Sequence, residues 1–217
     1  MTGRIAAVPP SGAPAPRHEP LVLLVAALVL LAWSGIRPHD RFTWILEVAP
    51  VLAGAPILVA TYRRFPLTPL TYRLLFLHAA ILMLGGRYTY ARVPLGFWMQ
   101  EAFGFARNHY DRIGHLAQGF VPAMLAREIL RRKTRLEPGG WLFFLTTCVC
   151  LAISAFYEFI EWWAALASGS AATDFLGTQG DPWDTQWDMF LATVGAIGSQ
   201  LLFSRVQERQ LTRLAEG

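Results

Sequence analysis

Charge is scarce in this sequence: only 16% of its 217 residues are Asp, Glu, Lys or Arg, against 54% hydrophobic. A soluble domain usually carries about a quarter charged residues, so an ordinary water-soluble fold is excluded. Cysteine is nearly absent too. Cys148 and Cys150 stand two apart inside an apolar run, where a helix points them away from each other. That rules out a disulfide scaffold and a cysteine-rich metal knuckle, and makes the pair small buried apolar residues. The formal charge of +4 is too small and too dispersed to be a nucleic-acid footprint, and no nucleic-acid partner is expected. After the first apolar run there is no small-x-small cleavage site, so that run is read as a membrane helix and not as a signal peptide.

What the chain does have is long apolar blocks. Measured against the roughly 20 residues needed to cross a hydrocarbon core, they predict an all-α polytopic membrane helix bundle with about six spans. The spans fall at 20–35, 42–61, 69–86, 111–130, 140–166 and 182–204. A flexible tail, 1–19, precedes this single transmembrane domain of 20–206, and a cytoplasmic tail, 207–217, follows it. The second span holds Pro50 and Pro56 and is expected to kink; its Glu47, near an end, is expected to snorkel to the surface. The fourth is the least hydrophobic, and so polar a helix crosses only with its polar face turned toward other helices or a wet cavity. Gly195, Gly198 and Ser199 in the sixth suit close helix packing.

Basic residues orient the bundle. An N-in, C-in arrangement puts 13 Lys and Arg residues on the cytoplasmic side and 6 outside, and the loop from Ser168 to Thr185 contains none. In that orientation three polar pairs reach the outer face at similar depth: Asp111 with His115, Glu158 with Glu161, and Asp184 with Asp188. Each pair has the spacing of three or four that shares one helix face. His78 lies deeper, about 12 Å below the end of its span. Asp181 can fold over the site from the turn preset by Pro182, within the acidic stretch from Asp174 to Ser199.

Carboxylates crowded in this way repel one another unless cations intervene. His115, Glu158, Glu161, Asp184 and Asp188, with His78 and Asp181 in reserve, are therefore candidate ligands of a divalent metal. The oxygen-rich set favours Mg²⁺, Mn²⁺ or Ca²⁺, with zinc or iron also accommodated. Asp111, His115, Glu158, Glu161, Asp184 and Asp188 are the candidate catalytic groups for metal-assisted hydrolysis or transfer. Arg87, Arg107 and Arg112 are candidate binders of an anionic, lipid-linked substrate, with membrane lipids as surroundings. Each feature also has a plainer explanation. Asp111 and Asp184 can be helix caps, His78 an interior hydrogen-bonded histidine, and Glu158 and Glu161 partners of Arg112 or Arg87. A cation- or proton-coupled transporter, or a structural protein with a buried polar network, would use the same residues. Glu128 with Arg132 reads as an ordinary helix pair. Trp98, Trp162, Trp163, Trp183 and Trp187 form an interfacial belt, and 87–110 a surface-lying amphipathic lid.

Three motifs carry a resemblance: YDRIGHLAQGFVPAMLAREIL from Tyr110, AISAFYEFIEWWAA from Ala152 and FLGTQGDPWDTQWDM from Phe175. In them the chain resembles the YjdF-like bacterial inner-membrane proteins, over about Tyr62 to Gly195. The resemblance implies a multi-pass protein of the bacterial inner membrane and supplies no reaction. A more distant similarity to the VanZ-like membrane proteins rests on Asp111 with His115, on Glu158 with Glu161, and on Asp184, Asp188 and Gly195. It implies cell-envelope chemistry, by analogy of fold.

Overall fold

The computed structural model describes residues 18–168 and 178–216. Most of the expected N-terminal tail, and residues 174–177 of the acidic stretch, lie outside them. The described residues form α1 (Glu19–Gly35), α2 (Arg41–Thr61), α3 (Pro69–Tyr88), a 3-10 turn (Tyr90–Arg92), α4 (Pro94–Phe103), α5 (Tyr110–Lys133), α6 (Gly140–Ser168) and α7 (Asp184–Glu216). Of these, α2, α3, α6 and α7 are long and apolar enough to cross a membrane, which makes the chain an all-α, polytopic membrane bundle.

Local chemistry explains the helix ends. Asp40 caps α2 by accepting from the Thr43 amide at 2.7 Å. Thr68 caps α3, with Pro69 as its first residue. Gly104, at φ 67°, closes α4 in the left-handed conformation that glycine tolerates. Helix α2 runs on through Pro50 and Pro56, and α7 continues past 204 to Glu216.

The polar helix is the central one. Helix α5 packs on α3, α6 and α7, while α1 and α2 pack on α3. Its tightest contact is with α7, where backbone meets backbone. A Cβ on Gly119 would stand 1.7 Å from the Ala192 carbonyl oxygen, and one on Gly195 would stand 2.1 Å from that of Leu116. Ser199 is buried beside this seam, whereas Gly198 faces open space and takes no part in it. The outside of the bundle is apolar, with Val22, Val29, Ile57, Phe156, Leu201 and Leu202 all exposed, as a lipid-facing surface requires. Cys150 is buried as expected, but Cys148 is exposed on that surface.

The ends of the helices sort into two levels. At one level lie the end of α1, the start of α2 and the end of α3: Arg87 donates to the Trp33 and Ile36 carbonyls at 2.6 and 2.8 Å, and the His39 amide donates to the Arg87 carbonyl at 2.8 Å. The start of α5, the end of α6 and the start of α7 share that level, together with α4 and its exposed Phe97, Trp98 and Phe103. At the other level Glu128 is part of something larger than a helix pair. Its fully buried carboxylate accepts from the Thr68 amide at 3.0 Å, the Thr68 and Thr71 hydroxyls at 2.8 Å each, and Arg132 at 3.0 Å. Gln207 of α7 joins it by donating to the Met124 carbonyl at 2.7 Å, and Arg127 donates to Gln207 at 2.9 Å.

Candidate metal centre

Helix α5 begins after His109, which makes no side-chain cap, so Asp111 in the first turn is not spent on capping. Its carboxylate instead stands 3.3 Å from His115 Nε2, one turn on. The other ring nitrogen, Nδ1, is 2.9 Å from the amide oxygen of Gln118. With Nδ1–H donating to Gln118, Nε2 faces Asp111 and, at 3.8 Å, Asp188. A ring nitrogen facing two carboxylates is stable only when it carries a proton or shares a cation with them.

His115 belongs to two potential ligand sets. Asp111, His115 and Asp188 form one; His115, Glu158 and Glu161 form the other. Within each set the donor atoms lie within 4.8 Å of one another. Three helices therefore bring an imidazole and four carboxylates together, and this buried cluster is able to coordinate a divalent metal. The plainer explanation for Glu158 and Glu161, pairing with Arg112 or Arg87, does not occur among the described residues: Arg112 goes to α7 and Arg87 to α1. Glu158 is 7% exposed and its Oε1 has no hydrogen-bond partner.

The remaining acids have a different environment. Arg112 reaches Asp188 at 2.5 Å, and Asp181 and Asp184 at 2.9 Å each. Arg107 reaches Asp184 at 2.8 Å and Asp181 at 3.3 Å, and also bonds the Thr178 carbonyl. Asp181 and Asp184 thus sit in an arginine clamp beside the His115 sets, and Asp188 links clamp and cluster. Burial pushes the imidazole of His109 down, helped by the positive charge of Arg107 and Arg112. Arg87 stacks on Trp33 at 4.3 Å, away from the clamp. His78 keeps a buried Nε2 without a hydrogen-bond partner and is in neither ligand set.

Three residues join the cluster that spacing did not reveal. Glu47 is buried, 5% exposed, and does not snorkel; it lies in electrostatic reach of Asp111 and His115 and beside the Tyr90 hydroxyl. Helices α2 and α3 lie close there, where a Cβ on Gly86 would be 3.3 Å from that of Glu47. Tyr90 enters between Gly85 and Gly114, where added Cβ atoms would come within 2.3 and 2.5 Å of its ring. The preceding residue, Thr89, makes the reversal at φ 60°, a conformation costing about 1–3 kcal/mol in a non-glycine residue. Tyr157 of α6 lies in reach of Glu47, Asp111 and Glu161. An acidic residue inside an apolar helix was the available signal for Glu47; neither tyrosine has one.

A membrane-spanning helix bundle that buries a histidine among carboxylates next to an arginine clamp defines the class of this protein. The chain belongs to the family described as "Predicted membrane protein (DUF2238)", whose model matches residues 19–209. It is 56% identical over 198 residues to the "Inner membrane protein YjdF" of Escherichia coli (strain K12), covering 90% of this chain and 95% of that protein. No solved structure matches it. With the apolar helices, this kinship makes it a multi-pass inner-membrane protein.

Proposed function

We propose that this is a metal-assisted hydrolase or transferase acting on a lipid or cell-envelope precursor at the outer leaflet. The supporting observation is His115, shared by two ligand sets of which one, with Glu158 and Glu161, has no Lys or Arg partner among the described residues. A divalent ion held there, with Mg²⁺, Mn²⁺ or Ca²⁺ ahead of zinc or iron, would supply Lewis acidity and a water of lowered pKa. Glu158, Glu161, Asp111 and Asp188 would hold the ion or take the proton, His115 would hold the ion, and Gln118 orients the ring. Arg107 and Arg112 receive the anionic group of the substrate in exchange for Asp181, the most exposed of their three carboxylates. Asp184 keeps the pair of guanidiniums aligned.

The topology that serves this reading has six spans, with α1 and α5 joining the four apolar helices, and both termini inside. The 13-to-6 distribution of basic residues supports it, as does the alternation of helix ends between two levels. Residues 20–206 then form one transmembrane domain after a tail at 1–19; of the cytoplasmic tail at 207–217, Gln207 still packs in the bundle and the rest of α7 to Glu216 runs on from it.

The test is metal content. Detergent-purified protein is stripped with chelator, dialysed against Mn²⁺ and subjected to elemental analysis alongside His115→Ala. Stoichiometric Mn²⁺ in the wild type and its loss in a folded variant are expected. Wild-type protein that stays folded yet binds none of Mg²⁺, Mn²⁺, Ca²⁺, Zn²⁺ or Fe²⁺ would overturn the proposal.

A further inference from the structure

Helices α5, α6 and α7 enclose a cavity of about 150 Å³ at the level of Glu128, about 18 Å along α5 from His115. Arg127 of α5, Gly139 before α6, Leu142 of α6, and Gln200 and Ser204 of α7 line it. Pro138, Gly139 and Gly140 are exposed, so the cavity opens where α5 hands over to α6. Its volume is several times the roughly 30 Å³ of one water, which leaves room for a group of several heavy atoms.

An acceptor and a donor lack partners here. Gln200 is 2% exposed, and its amide nitrogen donates toward the Phe143 and Ala196 carbonyls at 3.3 and 3.2 Å and the Thr147 hydroxyl at 3.0 Å. Those three acceptors fix the amide and leave its buried Oε1 with no donor among the described residues. The donor is Arg131, one turn beyond Arg127. Its outer nitrogens reach the Leu136 carbonyl at 3.4 Å and Glu137 at 3.0 Å, in the loop that leads to Gly139. Its buried Nε has no hydrogen bond, the Glu208 carboxylate standing off at 3.6 Å. Glu137, with its side chain 76% exposed, is held only weakly by such a surface pair. Positive charge prevails around the mouth: five Lys or Arg against two Glu in 127–137, and two against one in 204–210.

We propose that this cavity binds the headgroup of an anionic phospholipid with a free hydroxyl, of the phosphatidylglycerol type. The hydroxyl donates to Gln200 Oε1, and the phosphodiester accepts from Arg131 in place of Glu137. Basic pockets between membrane helices recognise anionic headgroups in this way. Trp141 and Leu201, beside Leu142 and Gln200 in sequence, are 72% and 71% exposed on the apolar surface where the acyl chains would lie. The site is separate from the His115 cluster and stands whether or not that cluster holds a metal.

Full-length protein in detergent is titrated with phosphatidylglycerol, phosphatidylmethanol or phosphatidylcholine, and bound lipid is counted by native mass spectrometry. Phosphatidylmethanol has the same charge as phosphatidylglycerol but no hydroxyl, so wild type should bind it about tenfold more weakly, the worth of one good hydrogen bond. Phosphatidylcholine should bind more weakly still. Gln200→Met should bind the two anionic lipids alike. Gly139→Phe should block the cavity and lose the bound lipid, whereas Gly140→Phe, outside the lining, should keep it; both glycines have room for a side chain, so these variants remain informative if Gln200→Met does not fold. Equal binding of all three lipids by wild type, or undiminished phosphatidylglycerol binding by Gly139→Phe, would overturn the proposal. Displacement of the lipid by glycerol 3-phosphate at comparable concentration would assign the cavity to a soluble glycerophosphate and overturn the lipid assignment.

Discussion

Arg112 ties α5 to the turn before α7 and to α7 itself, and its removal is a quantitative probe of the clamp. Its guanidinium serves Asp188, Asp184 and Asp181 at 2.5, 2.9 and 2.9 Å, and their side chains are 3%, 7% and 24% exposed. Arg107 also reaches Asp184 and Asp181, but Arg112 is the only Lys or Arg on Asp188 among the described residues. Arg112→Ala therefore leaves a buried carboxylate without its guanidinium, which costs about 3–5 kcal/mol. Arg107→Ala leaves every acid with Arg112 and should cost only about 1–2 kcal/mol. Arg112→Lys, a single point charge in place of a planar fork, should fall between them. Equilibrium unfolding in mixed detergent and SDS micelles, in metal-free buffer, gives these differences directly. Equal losses for the two alanine variants, or an Arg112→Ala protein as stable as wild type, would refute the assignment of Asp188 to Arg112.

The seam between α5 and α7 yields a paired test. Gly195→Ala puts a Cβ 2.1 Å from a carbonyl oxygen and should cost about 1–3 kcal/mol and weaken Mn²⁺ binding by shifting Asp188, while Gly198→Ala, in open space, should do neither. Glu128→Ala should destabilise by about 3–5 kcal/mol, since it orphans the Arg132, Thr68 and Thr71 donors, but leave Mn²⁺ affinity unchanged. At Asp40 the Thr43 amide holds the carboxyl below its ordinary value, so its stabilisation is present above the unfolded pKa and lost as pH falls through the folded one. Asp40→Ala should thus lose about 1 kcal/mol near neutrality. Thermal unfolding should show that gap closing as pH drops below about 4.

Helix positions were largely legible because their signals are local. Thr68 before Pro69, Asp40 before α2 and uninterrupted apolar runs mark boundaries without reference to the rest of the chain. The pairs inside the potential ligand sets were legible for the same reason: Asp111 with His115, and Glu158 with Glu161, owe their common face to helical spacing, although Asp111 was expected as a catalytic group rather than a ligand and the expected ligand Asp184 is in neither set. What the sequence withheld depends on how helices meet. The approach of Glu47 is close enough that a Cβ on Gly86 would crowd it at 3.3 Å, and the insertion of Tyr90 needs Gly85 and Gly114 from different helices. The division of the α7 acids, with Asp181 and Asp184 to the arginines and Asp188 shared with His115, depends on the path of the chain before Asp184. Spacing alone assigns all three the same role.

The two ends of α5 bear on whether the His115 cluster merely specifies packing. Thirteen residues apart, about 20 Å along the helix, Glu128 and His115 are both buried in the same contacts with α7. At Glu128 the fold supplies two hydroxyls, an amide and a guanidinium to one carboxylate. Packing that needs a buried acid can evidently saturate it. Around His115 the same helices bring four carboxylates together and leave Glu158 Oε1 without a donor, while Arg107 goes to Asp181 and Asp184 and Arg112 reaches, of the four, only Asp188. A purely structural network under the same packing rules would resemble the Glu128 end. The unsatisfied acceptor and crowded carboxylates at the His115 end are the contrast on which the metal proposal rests, and metal titration tests it.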